Sequence, residues 1–168
     1  MKFLAKFKAC FAGKVEPEHL RRGKLGERAA KKYLQRQGMK FLTANYRSER
    51  GEIDLIFRVN DRPFAERDIL PKLLKMRHLK FMRNATDLLV FVEVKTRSSE
   101  EWVRPAAAVN AERRRRLTRA ALDYLRLLQN PPVKVRFDIV EVLLQDSAVR
   151  EVRHLPNTFA MERPYRYY

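Results

Sequence analysis

The 168-residue sequence predicts an α/β domain built on one β-sheet, with the element order α-β-β-β-α-β. Two stretches, about residues 18–37 and 110–129, have apolar residues at the three-to-four-residue spacing of an amphipathic helix. Runs rich in β-branched and aromatic residues follow each of them, and residues 88–96 form the clearest strand. Strands flanked by two amphipathic helices favour a single sheet that the helices cover.

Local signals set the boundaries of these elements. Gly38 is a suitable stop for the first helix, and Asn130-Pro131-Pro132 ends the second. Gly23 and Gly26 lie inside the first helix, where glycine costs about 1 kcal/mol relative to alanine, so we expect another part of the protein to approach closely there. The predicted strands are 40–47, 52–59, 88–96 and 133–144, with a short edge strand at 151–155.

Three segments stand apart from the predicted domain, which spans residues 17–160. Residues 1–16 form a basic amphipathic extension, which lacks the uninterrupted apolar core of a signal peptide and either lies on a membrane surface or docks on its own domain. The stretch at 60–87 is far longer than the usual connection of about 4–6 residues, so we interpret it as a helical insertion between the second and third strands. Residues 161–168 form a basic and aromatic tail.

The charge of the chain indicates the class of its partner. The sequence has 37 Lys and Arg against 20 Asp and Glu, a formal net charge of +17. Such a field attracts polyanions, nucleic acid first and an anionic membrane surface second. The single cysteine, Cys10, cannot form an internal disulfide, which favours a reducing compartment such as the cytoplasm. Charge alone predicts no activity.

Charged side chains interrupt two apolar strands. Asp54 lies within Ile53-Asp54-Leu55-Ile56-Phe57, and Glu93 and Lys95 share one face of the following strand, because side chains alternate. Burying a charge costs several kcal/mol, which a divalent metal or a phosphate between these groups would explain. Carboxylates suit Mg²⁺, and a lysine can orient water or neutralise charge at phosphorus. The pattern favours metal-dependent phosphodiester hydrolysis, although Glu-x-Lys alone is also typical of a simple salt bridge.

Several motifs together resemble the YraN-type family of bacterial proteins. They cover about residues 23–159, and the Gly-Glu-Ile-Asp-Leu and Phe-Val-Glu-Val-Lys-Thr-Arg blocks are the specific ones. The motifs are Gly23-x-x-Gly26-Glu27, Asn45-Tyr46-Arg47, Gly51-Glu52-Ile53-Asp54-Leu55-Ile56, Phe91-Val92-Glu93-Val94-Lys95-Thr96-Arg97, Arg116-Leu117, Arg136-Phe137-Asp138-Ile139-Val140 and His154-Leu155-Pro156-Asn157-x-Phe159. That family is similar to the archaeal Holliday-junction resolvases of the PD-(D/E)XK nuclease superfamily. The resemblance therefore implies a restriction-endonuclease-like mixed sheet flanked by helices.

The resemblance also implies roles for individual residues. Asp54 and Glu93 would bind Mg²⁺ or Mn²⁺, Glu27 would complete the acidic cluster, and Lys95 would be the catalytic lysine. The partner would be DNA, with branched or damaged DNA as the narrower expectation. A homodimer would be usual, although no interface stripe indicates one. The family tends to have a lysine where this chain has arginine at 113. A nucleic-acid-binding protein with the same fold but no turnover is the alternative. The arginines expected to contact nucleic acid are Arg47, Arg97, Arg113 and Arg116.

Overall fold

The computed structural model describes residues 17–60, 87–98 and 109–161. The predicted extension at 1–16, most of the insertion at 60–87 and the tail from residue 162 onwards lie outside these ranges. The elements in chain order are α1 (Glu18–Arg36), β1 (Lys40–Ser48), β2 (Gly51–Asn60), β3 (Asp87–Arg97), α2 (Ala111–Leu127), β4 (Lys134–Gln145) and β5 (Ala148–Phe159). The predicted α/β class and element order are confirmed in these ranges.

The strands form one five-stranded mixed sheet in the order β1-β2-β3-β4-β5. Neighbouring strands are antiparallel except β3 and β4, which are parallel in the middle of the sheet. A parallel pair needs a crossover connection, and α2 lies within it. β5 runs much further than the predicted edge strand at 151–155, with two register shifts along its pairing with β4.

The two helices cover opposite faces of the sheet. On one face α2 packs through Leu117 and Leu125 against a core that includes Phe91 and Phe137. On the other, α1 packs through Ala30 and Leu34 against Leu55, Val92 and other apolar residues of β2, β3 and β4. Because side chains alternate along a strand, Phe91 and Val92 point to different layers. Neither helix in the described part of the chain has the length and apolar character that a membrane crossing requires.

Gly26 allows α1 to lie directly on the sheet. A Cβ at this position would collide with the side chain of Thr96 on β3, which would have to move. The predicted close approach is therefore confirmed at Gly26, whereas a Cβ at Gly23 would meet nothing within 4 Å. The contact brings the next residue of α1, Glu27, towards the end of β3.

Candidate functional site

The site begins where β2 and β3 stop pairing. Their paired register ends at Leu55 opposite Val92. Just beyond that point the backbone N–H of Val94 donates a hydrogen bond to Oδ2 of Asp54 over 2.7 Å. The two strands therefore separate at Asp54. The Asp54 carboxylate accepts the hydrogen bond from Val94 that a backbone carbonyl of a neighbouring strand would otherwise accept.

The surroundings of Asp54 favour its neutral form. Burial and the negative charge of Glu93 raise the pKa of Asp54 to about 7, and Glu27 acts in the same direction. The Val94 hydrogen bond and the positive charge of Arg113 oppose this shift. Glu93 and Glu27 are consequently each close enough to Asp54 to disfavour its charge, although the three residues come from β3, α1 and β2.

Glu93 is buried, with 2% of its surface exposed, and is held by two cations. The Lys95 Nζ lies 2.7 Å from Oε1 of Glu93. Arg113 donates from Nε to Oε1 over 3.0 Å and from a terminal nitrogen to Oε2 over 2.8 Å, which is a bidentate pair. Burial alone would lower the pKa of Arg113, but the hydrogen bonds and charge of Glu93, together with Asp54 and Glu52, raise it. Arg113 therefore remains a cation in contact with both oxygens of Glu93.

Glu27 and Lys95 are the more accessible members of the group. Glu27 accepts a hydrogen bond from the Asn45 side chain of β1 over 3.0 Å. The Lys95 side chain is 32% exposed, so a substrate can reach its ammonium group. The structure thus brings Glu27, Asp54, Glu93 and Lys95 to one end of β3. Asn45 was not predicted as a site residue. Its backbone has a positive φ of 51°, a conformation that the sequence alone does not reveal.

A divalent cation fits part of this donor set. Asp54 and Glu93 are two carboxylates whose mutual repulsion a cation would relieve, and Mg²⁺ is often bound by one or two carboxylates and several waters. Within residues 17–60, 87–98 and 109–161, however, no three His, Cys, Asp or Glu side chains form a group that could hold a metal ion. Asp54 and Glu93 therefore provide two carboxylates for a metal ion, and Arg113 competes for Glu93.

An open cleft of about 490 Å³ lies next to this group. It is lined by the β1–β2 turn and the start of α2, and three of the four predicted nucleic-acid contacts, Arg47, Arg113 and Arg116, lie along it. Glu52 at the same place accepts from Arg113 over 3.4 Å and lies 3.7 Å from Arg47. Gly51 has its own packing role, because a Cβ there would lie 2.5 Å from the backbone oxygen of Arg116. Arg97 does not line this cleft and lies instead at the end of β3.

Two carboxylates buried within β4 were not predicted as site residues. Asp138 on β4 is hydrogen-bonded to Arg136 through both oxygens, to the backbone N–H of Asn157, and lies 2.8 Å from Nε2 of His154. Burial alone would raise its pKa, but these partners lower it. Glu141, three residues further along β4, is also fully buried. The rule that selected Asp54, a carboxylate inside an apolar strand, applies equally to both.

The described fold and site define a mixed α/β protein. A five-stranded sheet lies between two helices, and a group of acidic and basic side chains gathers where β2 and β3 separate.

The chain belongs to the uncharacterised protein family UPF0102, whose model matches residues 26–142. It is 39% identical to a UPF0102 protein of Solibacter usitatus over 127 residues, which cover 74% of this chain and 76% of that protein. It is 35% identical to the UPF0102 protein of Chlorobaculum parvum, over 82% of this chain and 90% of the relative. A UPF0102 protein of Coxiella burnetii is 33% identical over 81% of this chain and 89% of its own length. The predicted family is therefore confirmed.

Proposed function

We propose that this protein is a metal-dependent endonuclease that hydrolyses phosphodiester bonds in DNA. The observation that carries the proposal is the meeting of Asp54, Glu93 and Lys95 at the point where β2 and β3 diverge. Two carboxylates and an ammonium group next to a basic cleft form a chemically sufficient set for this reaction. An ordinary structural ion pair would not also need Asp54, whose charge the site disfavours.

The residues of the chain have separable tasks in this reaction. Asp54 and Glu93 would hold Mg²⁺ or Mn²⁺, which when bound supplies positive charge at the reacting phosphate and makes a water more acidic. Lys95, partly exposed beside Glu93, would orient the attacking water and offset the negative charge that develops on the phosphate oxygens. Glu27 would adjust the field at Asp54 from α1.

The basic cleft would hold the DNA backbone without reading its sequence. Arg47 and Arg116 lie at its rim with exposed side chains, and phosphate contacts of this kind fix position and carry no sequence information directly. The formal net charge of +17 supports the same partner, because neutralising phosphates releases counterions and strengthens binding at low salt.

Cleavage of supercoiled plasmid and of a four-way DNA junction, with Mg²⁺ or with EDTA, tests the proposal. We expect cutting only with the metal, and a loss of about a hundredfold or more in Glu93→Gln and Lys95→Ala. Glu151→Gln and Lys134→Ala are the matched controls, since both residues are exposed and lie outside the site. Equal cutting by the Glu93→Gln, Lys95→Ala and unsubstituted proteins would contradict the assignment.

The bidentate pair between Arg113 and Glu93 favours a second candidate function, nucleic-acid binding without turnover. In this case the guanidinium, and not a metal, neutralises Glu93. DNA binding would then be sensitive to salt and indifferent to Mg²⁺ and to Asp54→Asn. Calorimetric titration with Mg²⁺ separates the two functions: the endonuclease takes up the metal, and Arg113→Ala takes it up more tightly, whereas the binding protein shows no metal-dependent heat in either form.

A further inference from the structure

Glu141 is a buried carboxylate on β4, with 0% of its surface exposed. Among the residues that the structure describes, neither Oε1 nor Oε2 of Glu141 has a hydrogen-bond partner. Most buried polar groups in proteins are hydrogen-bonded, and a carboxylate left without donors is costly. An apolar side chain of similar volume would be expected to serve the core as well or better. The presence of Glu141 therefore requires a reason other than stability.

Glu141 forms an ion pair with Arg97 at the end of β3. The Nε of Arg97 lies 3.8 Å from Oε1 of Glu141, too far for a hydrogen bond, and this buried Nε has no hydrogen-bond partner within the described part of the chain. The side chain as a whole is 27% exposed, so other atoms of Arg97 make its contact with solvent. A guanidinium has five N–H donors, and one that faces Glu141 leaves the terminal nitrogens for a second acceptor.

The sheet register places this pair beside the proposed site. Glu141 lies opposite Lys95 of β3 and opposite Arg153 of β5. Glu93, Lys95 and Arg97 occupy every second position of β3, so their side chains lie on the same face of the sheet. Glu141 is consequently an acidic residue among cations that adjoin Glu93. Its position is set by the backbone pairing of β4 with β3 and with β5.

We propose that Glu141 is a positioning residue that holds Arg97 for contact with a backbone phosphate of bound nucleic acid. This inference rests on the nucleic-acid partner of the proposed function and is independent of hydrolysis. The charge of Glu141, 3.8 Å from Nε, attracts the guanidinium and limits the positions it can take. A restrained guanidinium matches the oxygens of a phosphate better than a freely rotating one. The contact extends the phosphate-binding surface along β3, away from the cleft lined by Arg47 and Arg116.

Binding of a short fluorescently labelled DNA duplex of random sequence, measured by anisotropy over a series of NaCl concentrations without divalent metal, tests the inference. Arg97→Ala should weaken binding by about tenfold, the scale of one charge-assisted hydrogen bond. It should also lower the slope of log affinity against log salt by about 0.9. Glu141→Gln should weaken binding in the same direction, and the double variant should bind no worse than Arg97→Ala.

The sign of the Glu141→Gln effect is the decisive readout, because this substitution makes the protein more positive and charge alone predicts tighter binding. Glu151→Gln is the matched control: it removes the same charge from an exposed position on β5 and should leave binding unchanged or slightly tighter. The unfolding temperature of Glu141→Gln should stay level or rise, whereas a structural role would lower it. Binding by Glu141→Gln as tight as that by Glu151→Gln overturns the inference.

Arg97→Lys provides a second route if Glu141→Gln does not fold. Lysine keeps the charge but lacks the planar guanidinium that could contact Glu141 and a phosphate together. We therefore expect Arg97→Lys to lose most of the DNA affinity that Arg97→Ala loses. Binding by Arg97→Lys equal to that of the unsubstituted protein overturns the inference. Failure of the unsubstituted protein to bind the duplex at any salt concentration would instead remove the proposed function. Binding without cleavage would remove only the hydrolysis.

Discussion

Asp54 and Asp138 are both carboxylates in apolar strands, yet their surroundings move their pKa values in opposite directions. Asp54 has one backbone donor and acidic neighbours, so burial and Glu93 raise its pKa. Asp138 is almost fully buried and Asp54 only partly so, but Arg136, His154 and Asn157 supply donors to Asp138 that more than offset its burial. At the scale of single residues, Asp54 is thus placed at the expense of stability, whereas Asp138 contributes to it.

Asp54→Asn should stabilise the fold at alkaline pH in the presence of EDTA. The pKa of Asp54 is raised from an unfolded value of about 3.9 to about 7, so its ionisation costs stability as the pH rises between these values. The gain should reach at most about 4 kcal/mol above pH 7 and vanish below about pH 4. Urea denaturation at a series of pH values measures it. A less stable variant at pH 8 would contradict this account of the site.

Asp138→Asn should have the opposite effect. Because the pKa of Asp138 is lowered in the fold, its stabilisation is complete above the unfolded pKa of about 3.9 and is lost as the pH falls through the folded value. We expect a loss of about 3–5 kcal/mol at neutral pH, as for other broken buried pairs, and convergence with the unsubstituted protein in acid. Asp146→Asn, in the exposed turn before β5, is the control. A loss that persists unchanged in acid would rule out this explanation.

The residue pattern was sufficient to select Asp54, Glu93 and Lys95, because charge inside an apolar strand is visible without a structure. It could not show which buried charge has partners. Arg113 illustrates the difference: it was predicted as a contact for nucleic acid, and only the packing of α2 shows that it pairs with Glu93. The partners of Asp138 come from β4 and β5, whose bulged pairing the sequence does not indicate.

At the scale of elements, the contact between α1 and β3 is what brings an acidic residue of a helix to the sheet. Gly26 faces Thr96 so closely that a Cβ cannot be accommodated without movement. Glu27 follows it directly and then meets Asn45 of β1. The packing of the helix and the composition of the site are therefore determined by the same glycine.

Gly26→Ala should destabilise the protein by about 1–3 kcal/mol, the usual cost of overpacking, despite the better helix propensity of alanine. Gly23→Ala, in the same helix and with open space around it, should instead stabilise by up to about 1 kcal/mol. Thr96→Ala should recover part of the Gly26→Ala loss. Denaturant unfolding of Gly26→Ala, Gly23→Ala, Thr96→Ala and the double variant Gly26→Ala/Thr96→Ala measures these differences. Equal effects of the two glycine substitutions would show that the contact with Thr96 does not matter.

Most elements could be predicted from periodicity, because α1, α2 and the first four strands have strong apolar patterns and clear end signals. β5 was predicted only as 151–155, since the whole strand, Ala148–Phe159, has charged residues and a proline and is largely exposed or half-buried. Its length depends on backbone pairing with β4, which is a tertiary property. The parallel pairing of β3 with β4 agrees with the expected mixed sheet, while strand order is not contained in any local pattern.

At the scale of the whole molecule, the dominant property is positive charge. Arg50 of the β1–β2 turn forms an ion pair with Asp123 of α2, and Arg116 pairs with Glu112 within α2. A formal net charge of +17 nevertheless remains. Exposed pairs of this kind contribute little, typically about 0–1 kcal/mol each. Repulsion among the excess cations therefore opposes the compact state.

Moderate salt should consequently raise the unfolding temperature at neutral pH. Screening weakens both the repulsion and the exposed ion pairs, and with this excess of like charge we expect the repulsion to be the larger effect. A rise of about 2–4 °C, corresponding to about 1 kcal/mol, is the expected scale between low and physiological ionic strength. Calorimetry in NaCl and KCl measures it, with sucrose at equal osmolality as the uncharged control. A fall with both salts would mean that the ion pairs predominate.

The parallel ladder between β3 and β4 has a consequence for how the protein folds. The β1–β2 and β4–β5 hairpins close over tight turns, so their pairing joins residues that are close in sequence. β3 and β4 are separated by residues 98–133, so their pairing closes a long loop and carries a larger entropic cost. Since Glu93 and Lys95 lie on β3 while Glu141 lies on β4, a nascent chain that lacks the C-terminal hairpin has the charged residues of the site without the strand that orders them.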